Sequence, residues 1–127
     1  MAGLTDRHRE LLKGKHFGVV ATAAEHGQPQ TSVVWVDTDG ENLVFNTTTA
    51  RAKGRNLRSN PRVSVSVWVN EDPYSYFEVQ GRAELSEEGA AEHINELSHR
   101  YAGKDFDSPV DRVIVRVRPE WVFDHLD

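Results

Sequence analysis

Residues 62–85 read RVSVSVWVNEDPYSYFEVQGRAEL and hold the clearest strand patterns of the chain. Between Arg62 and Asn70, valines occupy every second position and face one way, while serines and a tryptophan face the other. The residues from Asn70 to Pro73 predict a loop. A second alternation, from Ser75 to Leu85, predicts a long strand in which Gly81 marks a bend of a barrel. Together the two patterns predict an antiparallel β structure.

The N-terminal part of the chain predicts one helix and three strands. Thr5 is suited to cap a short helix over Asp6–Lys13. Apolar or alternating patterns then predict strands over His16–Ala24, Pro29–Asp37 and Glu41–Thr48, with a glycine-containing turn between each pair. We expect these three strands to form an antiparallel meander.

The C-terminal part predicts one long helix followed by a strand. Ser86 is a candidate cap, and apolar residues then recur at helical spacing up to Gly103. Valines alternate from Asp111 to Arg118, and Pro119–His125 adds a last strand or tail. Six or seven mostly antiparallel strands, with one long helix inserted late, predict a mainly β (α+β) fold, a small barrel covered on one side by a helix. We expect a single domain over residues 1–127.

Composition narrows the classes of function. The formal net charge of −5 argues against general nucleic-acid binding. The chain has no cysteine, which excludes a disulfide framework, a thiolate metal site and a cysteine nucleophile. Its six histidines lack metal-binding spacing, so we expect surface histidines and no metal. No apolar run is long enough to span a bilayer, so we expect a soluble cytoplasmic protein with no membrane partner.

A basic segment within this acidic chain is the best candidate site. Residues 46–63, NTTTARAKGRNLRSNPRV, hold a third of the basic residues and include a predicted short helix. Arg51 and Lys53 fall in its first turn, where backbone N–H groups lack partners, so both side chains can converge on one phosphate. A solvated basic turn is the alternative, but the hydroxyls of Thr47–Thr49 favour a site.

Three further arginines follow this segment's first turn. Arg55, Arg58 and Arg62 either face water and pair with surface carboxylates, or bind the acidic tail of a ligand. The chain has no G-x-G-x-x-G, Walker or G-x-S-x-G sequence, so Rossmann, P-loop and serine acyl-transfer sites are not predicted. We assign the three tryptophans to packing or a dimer interface rather than to chemistry.

Four segments resemble a known family of flavoproteins. They are GQPQTSVVWV from Gly27, LVFNTT from Leu43, RAKGRNLRSNPRV from Arg51 and YFEVQGRAEL from Tyr76. In this order they resemble the pyridoxamine 5′-phosphate oxidase-like split β-barrel flavoproteins, and within these the actinobacterial branch that uses the deazaflavin coenzyme F420. The resemblance covers residues 17–103, and the run that starts at Arg51 is fairly specific to that branch.

The resemblance implies a homodimer of six-stranded antiparallel split β-barrels, the FMN-binding split barrel, with two cofactor sites at the subunit interface. Each barrel would carry a short N-terminal helix, a short phosphate-binding helix and one longer helix. By position, Arg51 and Lys53 would hold the cofactor phosphate, with Ala52 approaching through its backbone and Asn56 bracing the segment. Tyr76 would approach from the loop before the fifth strand, in the same subunit or across the dimer. The ring and ribityl chain would be lined by Gln30, Ser32, Val33, Val34, Asn46 and Thr47.

Two departures separate this chain from the oxidases that act on vitamin B6. Those enzymes have an adjacent Arg-Lys pair, whereas here Ala52 separates Arg51 from Lys53. The sequence also ends at Asp127 without the C-terminal substrate-binding extension. We therefore do not expect oxidation of vitamin B6.

The resemblance and the charge pattern together predict an F420-dependent oxidoreductase that transfers a hydride between the deazaflavin and a small conjugated or unsaturated substrate. Arg55, Arg58 and Arg62 would give the oligoglutamate tail of F420 an electrostatic track, which the terminal phosphate of FMN does not need. The alternatives are an FMN-dependent oxidoreductase and a non-catalytic protein that binds a cofactor or a tetrapyrrole. The cofactor carries the chemistry, so no catalytic residue is assigned, and the proton donor is left open between solvent and Tyr76.

Overall fold

The structure is a computed structural model and describes all residues from Met1 to Asp127. Its helices are α1 (Asp6–Leu12), α2 (Ala52–Ser59) and α3 (Ala90–Ala102). Its strands are β1 (Phe17–Ala23), β2 (Pro29–Trp35), β3 (Asp37–Thr38), β4 (Leu43–Thr48), β5 (Arg62–Val69), β6 (Asp72–Ser86) and β7 (Arg112–His125). The predicted mainly β fold with three helices is confirmed. Seven strands occur rather than six because β3 is an additional strand of two residues.

All seven strands belong to one antiparallel sheet in the order β2-β1-β5-β6-β7-β4-β3. The predicted meander is wrong at its second step, because β4 pairs with β7 and β3 rather than with β2. Val36, directly after β2, is fully buried, so the chain turns into the core before β4 begins. As a result β2 and β4 do not pair with each other. They face each other across a gap between strands, which we call the open seam of the barrel.

The two longest strands, β6 and β7, pair along nearly their whole length. Their register shifts between Gln80 and Gly81. A Cβ atom at Gly81 would collide with the Arg118 carbonyl oxygen, so this approach requires glycine. The irregularity lies where the sequence predicted a bend. It bends the pair β6 and β7, so that these two strands belong to both halves of the sheet.

Two predicted boundaries move. The loop predicted over Asn70–Pro73 shrinks to a two-residue turn, because Asp72 already pairs with Val69. The strand predicted to end at Arg118 continues through Pro119 as β7. Pro119 lies beside the register shift, where a missing backbone N–H is tolerated.

The core fills the barrel and is mostly aliphatic. The apolar face predicted on β5 is the buried one, with Val63, Val65 and Val67 each at most 5% exposed. They pack in one cluster with Phe45 and Phe77, both fully buried, and with leucines from α1 and α2. Burying this surface is the main stabilising term of the fold.

The helix caps follow the sequence at two ends and depart from it at one. Thr5 caps α1 as predicted, and its side chain accepts a hydrogen bond from the N–H of His8. Gly103 ends α3 in the left-handed conformation, with φ of 74°. At the start of α3, however, Gly89 is the N-cap residue rather than Ser86, and its φ is 75°.

His8 is not the surface histidine that the sequence predicted. Its side chain is fully buried and stacks on Phe77, with ring centroids 4.4 Å apart. Its Nδ1 accepts a hydrogen bond from the N–H of Thr5, so the neutral ring carries its proton on Nε2, 3.1 Å from a carboxylate oxygen of Asp124. Burial lowers the pKa of His8, although the charge of Asp124 opposes the shift.

Candidate functional site

A cavity of about 230 Å³ opens between β2, the end of β4 and α3. Its wall combines apolar side chains with cationic ones and contains no carboxylate. The lining residues are Phe17, Val33, Val34, Trp35, Asn46, Arg51, Lys53, Ile94, Leu97, Phe106 and Arg112. The charged residues of this wall suit an anionic group, and its aromatic residues suit a planar one.

Helix α2 begins at the end of β4 and presents its first turn to the cavity. The lack of a side chain at Gly54 allows this approach, since a Cβ atom there would lie less than 3.0 Å from the carbonyl oxygen of Thr48. Arg51 is the N-cap residue and makes no capping hydrogen bond through its side chain. The N–H of Arg55 is the first to bond along the helix, to the Arg51 carbonyl at 3.0 Å. The N–H groups of residues 52–54 are therefore free donors at a helix start, an arrangement that favours anions.

Three cations border the cavity without a counter-ion. Lys53 is only 6% exposed and has no hydrogen-bond or ion-pair partner, while Arg51 is exposed and Arg112 is 9% exposed. Burial, and after it the positive charges of Arg51 and Arg112, lowers the pKa of Lys53. Burial and the charge of Arg51 likewise lower the pKa of Arg112. A bound anion would offset both the burial and the mutual repulsion of these groups.

Asn46, predicted to line the cofactor ring, has its amide engaged inside the protein. Its Oδ1 accepts a hydrogen bond from Nε of Arg112 at 2.8 Å. Its Nδ2 donates to the Ala90 carbonyl and to Nδ1 of His93, each at 3.0 Å. Asn46 therefore borders the cavity mainly as the residue that orients Arg112.

Asp37 is a nearly buried carboxylate behind this site. It accepts a hydrogen bond from Nε2 of His93 at 3.1 Å and lies 3.0 Å from both Lys13 Nζ and Arg100 Nη2. Burial would raise the pKa of Asp37, but the hydrogen bonds from His93, Lys13 and Arg100 outweigh burial and hold the pKa well below its ordinary range. His93 is thus a second histidine wrongly predicted to lie on the surface, because its side chain is only 11% exposed.

Three buried side-chain oxygens have no hydrogen-bond partner, and all belong to residues predicted to line the cofactor. They are Gln30 Oε1, Ser32 Oγ and Thr47 Oγ1. Gln30 and Ser32 lie on β2 and Thr47 lies on β4, so the three flank the open seam of the barrel. Buried polar atoms are nearly always hydrogen-bonded, which makes these three candidates for contact with a polar ligand.

The structure brings some of the predicted cofactor residues together and leaves others apart. Five of the eleven border the cavity: Val33, Val34, Asn46, Arg51 and Lys53. Ala52 offers its N–H at the start of α2. The Nδ2 of Asn56 donates to Thr22 Oγ1 at 3.0 Å, which ties α2 to β1. Tyr76 lies outside this cavity and stacks on His125, with ring centroids 4.7 Å apart.

The sequence did not predict six of the residues that line the cavity: Phe17, Trp35, Ile94, Leu97, Phe106 and Arg112. Trp35 stacks on Tyr101 of α3, with ring centroids 5.3 Å apart and planes 13° from parallel. Phe106 packs against Arg112, whose guanidinium carbon lies 5.0 Å from the ring centroid. These positions become visible only once α3 and the segment after it pack against the sheet. No motif distinguishes Arg112 from the other arginines of β7.

The outer face of the sheet carries exposed apolar side chains. Val33, Val19, Ser66, Glu78 and Phe123 are successive neighbours in the strand registers and form one row across five strands. They therefore point to the same side of the sheet. Val33 is 63% exposed and Phe123 is 39% exposed, at the two ends of this row.

Comparison with known proteins places this geometry in a family. Residues 4–126 match the family model described as pyridoxamine 5′-phosphate oxidase. The chain belongs to the pyridoxamine 5′-phosphate oxidase family. This membership confirms the resemblance predicted from the sequence, and it extends that resemblance beyond residues 17–103 to nearly the whole chain.

Several solved structures superpose over most of the chain. A structure named F420 reductase is 35% identical, with a TM-score of 0.82, and the match covers 94% of this chain and 98% of that one. A conserved hypothetical protein from Mycobacterium tuberculosis is 25% identical, with a TM-score of 0.75 and coverage of 98% and 87%. HutZ, the heme storage protein from Vibrio cholerae, is 18% identical with a TM-score of 0.71 and coverage of 95% and 94%, a likeness of fold alone.

The helices of this structure give no sign of a membrane-spanning segment. None of the three helices combines the length and the apolar character needed to cross a bilayer.

Proposed function

We propose that the protein is an F420-dependent oxidoreductase, which transfers a hydride between the deazaflavin and a small conjugated or unsaturated substrate. The observation that carries this proposal is the buried Lys53, which has no counter-ion and lies beside Arg51, Arg112 and the free N–H groups at the start of α2. An unpaired buried cation is unfavourable unless an anion binds to it. A phosphate-bearing cofactor supplies that anion.

The choice of F420 over FMN rests on two further observations. The 35% identity with the F420 reductase extends over 94% of this chain. In addition, Arg55 and Arg58 are exposed on α2, beyond the phosphate end of the cavity, where the acidic tail of F420 would leave it. Arg62 is a weaker member of the proposed track, since its guanidinium lies 4.0 Å from Glu120.

The residues present fit such a cofactor. Arg51, Lys53 and the N–H of Ala52 would hold the phosphate, while Asn56 keeps α2 in place through Thr22. The three unpartnered oxygens on β2 and β4 would hydrogen-bond polar atoms of the ring and its side chain. When bound, the deazaflavin supplies the hydride chemistry, and this chain contributes orientation, charge neutralisation and exclusion of water. Within one chain Tyr76 lies outside the cavity, so a proton from Tyr76 would require the second subunit.

We propose further that the protein is a cytoplasmic homodimer of single-domain subunits and that each cofactor site is shared between the two subunits. The cavity of about 230 Å³ lies below the range of about 300–1,000 Å³ usual for ligand pockets, so a cofactor of this size would extend beyond one chain. The row from Val33 to Phe123 offers the exposed apolar face that a dimer would cover. Its centre is polar at Ser66 and Glu78, so the apolar contacts of such a dimer would come from the two ends of the row.

The cofactor assignment is tested by fluorescence titration with F420 and FMN side by side. We expect F420 to bind more tightly. Alanine at both Arg51 and Lys53 should weaken binding by about 1.5–3 kcal/mol for each lost charged hydrogen bond. The matched control replaces two exposed cations, Lys104 and Arg118, with alanine. Unchanged affinity in the Arg51/Lys53 variant would contradict the phosphate assignment.

Turnover is tested by following the absorbance of reduced F420 with enones, quinones and biliverdin as acceptors. Oxidation with any of them supports the oxidoreductase, whereas F420 binding without oxidation favours the non-catalytic binding protein. Purified protein that is yellow with FMN absorbance favours the FMN-dependent alternative. The dimer is tested by light scattering, where Phe123→Lys should yield monomers and weaker F420 binding.

A further inference from the structure

Arg112 is held in one orientation at the cavity wall while part of its guanidinium stays unpaired. Its Nε donates to Asn46 at 2.8 Å, and one face of the guanidinium packs on the ring of Phe106. Neither terminal nitrogen, Nη1 or Nη2, has a hydrogen-bond or ion-pair partner. Glu87 and Asp111 line an adjacent outer cavity together with Arg112, but neither forms an ion pair with it. A nearly buried guanidinium with two unpaired nitrogens is well suited to bind an anion.

A chain of hydrogen bonds from Asp37 fixes this orientation. Asp37 accepts from Nε2 of His93, which sets the tautomer of the ring and leaves Nδ1 as an acceptor. The Nδ2 of Asn46 donates to that Nδ1 and to the Ala90 carbonyl, and these two acceptors together turn the Oδ1 of the amide towards Arg112. Every donor in the series meets an acceptor. Reversing the Asn46 amide would place two donors against each other at Arg112 and two acceptors at His93.

The charge balance of the cavity shows why a third cation matters. The wall carries Arg51, Lys53 and Arg112 and no carboxylate. A single negative charge would leave two of these cations uncompensated, whereas a phosphate with a neighbouring acidic group would neutralise most of the charge. A ligand that brings two negative charges to this end of the cavity would therefore match the wall better than one that brings a single charge.

We propose that Arg112 is a third anion-binding residue of the cofactor site, and that Asp37 and His93 are positioning residues that orient its guanidinium through Asn46. This inference deepens the proposed function and rests on it for the identity of the cofactor. The anion site itself does not depend on the proposed function, because inorganic pyrophosphate tests that site independently.

The experiment measures the thermal shift caused by inorganic pyrophosphate and the affinity for F420 in four variants. Arg112→Gln should lose most of the pyrophosphate shift and bind F420 about ten- to hundredfold more weakly. Arg118→Gln, on the same strand and with the same change of charge, should behave like wild type. His93→Asn retains an acceptor near Nδ1 and should bind almost as wild type, whereas His93→Gln leaves the Ala90 carbonyl as the only acceptor for Asn46 Nδ2 and should bind F420 more weakly than His93→Asn, though less weakly than Arg112→Gln. Circular dichroism without ligand verifies that each variant is folded.

The outcomes separate the two proposals. If pyrophosphate stabilises wild type but not Arg112→Gln while F420 fails to bind, the anion site stands and the proposed function falls. If F420 binds equally to wild type, Arg112→Gln and Arg118→Gln, the role of Arg112 is overturned and the proposed function stands. Equal effects of His93→Asn and His93→Gln would reduce His93 to a purely structural residue and overturn its positioning role.

Discussion

Gly54 lies so close to Thr48 that no side chain fits between the start of α2 and the end of β4. A Cβ atom at position 54 would lie less than 3.0 Å from the Thr48 carbonyl oxygen. That oxygen also accepts the N–H of Arg51 at 3.3 Å, which fixes the residue at the helix cap. The distance between the strand and the helix start therefore determines where Lys53 enters the cavity.

Gly54→Ala should destabilise the protein and displace the helix start. Backbone atoms must move to admit the methyl group, and such overpacking typically destabilises by about 1–3 kcal/mol. Urea unfolding measures the loss, and F420 titration should show weaker binding. Gly3→Ala is the control, since a Cβ atom at Gly3 meets nothing within 4 Å. Equal stability of the two variants would mean that α2 adjusts freely.

Lys53→Met should have opposite effects on stability and on binding. Without a bound anion the Lys53 side chain is nearly buried and its ammonium is unpaired at the cavity wall, so an isosteric apolar side chain should raise the free energy of unfolding. Anion binding should weaken by about 1.5–3 kcal/mol, because a charged hydrogen bond is lost. Chemical denaturation and F420 titration measure the two effects, with the exposed Lys104→Met as control. A less stable apo variant would contradict the unpaired state of Lys53.

Asp37→Asn should destabilise the protein by about 3 kcal/mol, because it leaves the cations around it without their charge partner. We take the lower end of the range for broken buried ion pairs, since the side chains of Lys13 and Arg100 are 57% and 23% exposed. Urea unfolding at pH 7 gives the value. The exposed Asp105→Asn should change stability little by comparison.

The same carboxylate predicts a contribution to acid unfolding. The folded-state pKa of Asp37 lies below the unfolded value of about 3.9, so its stabilisation is fully present above that pH. It is lost as the pH falls from about 4 towards the folded-state pKa. The difference in unfolding free energy between wild type and Asp37→Asn should therefore shrink over this interval. A constant difference would show that the charge of Asp37 is not what stabilises the fold.

His8 predicts a loss of stability in mildly acidic solution. Its folded-state pKa is lowered, so the unfolded chain takes up a proton first as the pH falls below about 6.5. The unfolding free energy should then decrease by at most about 1.4 kcal/mol per pH unit relative to His8→Asn, which retains an acceptor for the Thr5 N–H but does not titrate. Denaturation curves from pH 8 to pH 5 test this. Parallel pH profiles would show that His8 protonates without unfolding.

Local patterns account for the parts of the fold that were predicted correctly. The alternating valines of β5 have one buried face in any sheet, and Thr5 satisfies N–H groups of its own helix. The pairing of β4 with β7 rather than β2 could not be predicted, because it depends on how the barrel closes and not on either strand alone. The same reason explains why His93 was assigned to the surface.

Only part of the candidate site could be predicted from the sequence, for a similar reason. Arg51 and Lys53 are neighbours in sequence, and a helix start after a strand has a recognisable chemistry. Arg112 reaches the same cavity from the other end of the chain, through the pairing of Thr48 with Arg112. No spacing rule connects residues that only the register of two distant strands brings together.

The pairing of β4 with β7 also has a kinetic consequence. Leu43 pairs with Val117, so this edge of the sheet closes only after most of the chain has found its place. Contacts between residues far apart in sequence form slowly, since a long loop must be ordered first. The anion site, at the junction of β4, α2 and β7, should therefore be among the last regions to form during refolding. Phosphate ligands should then slow unfolding while leaving the refolding rate almost unchanged.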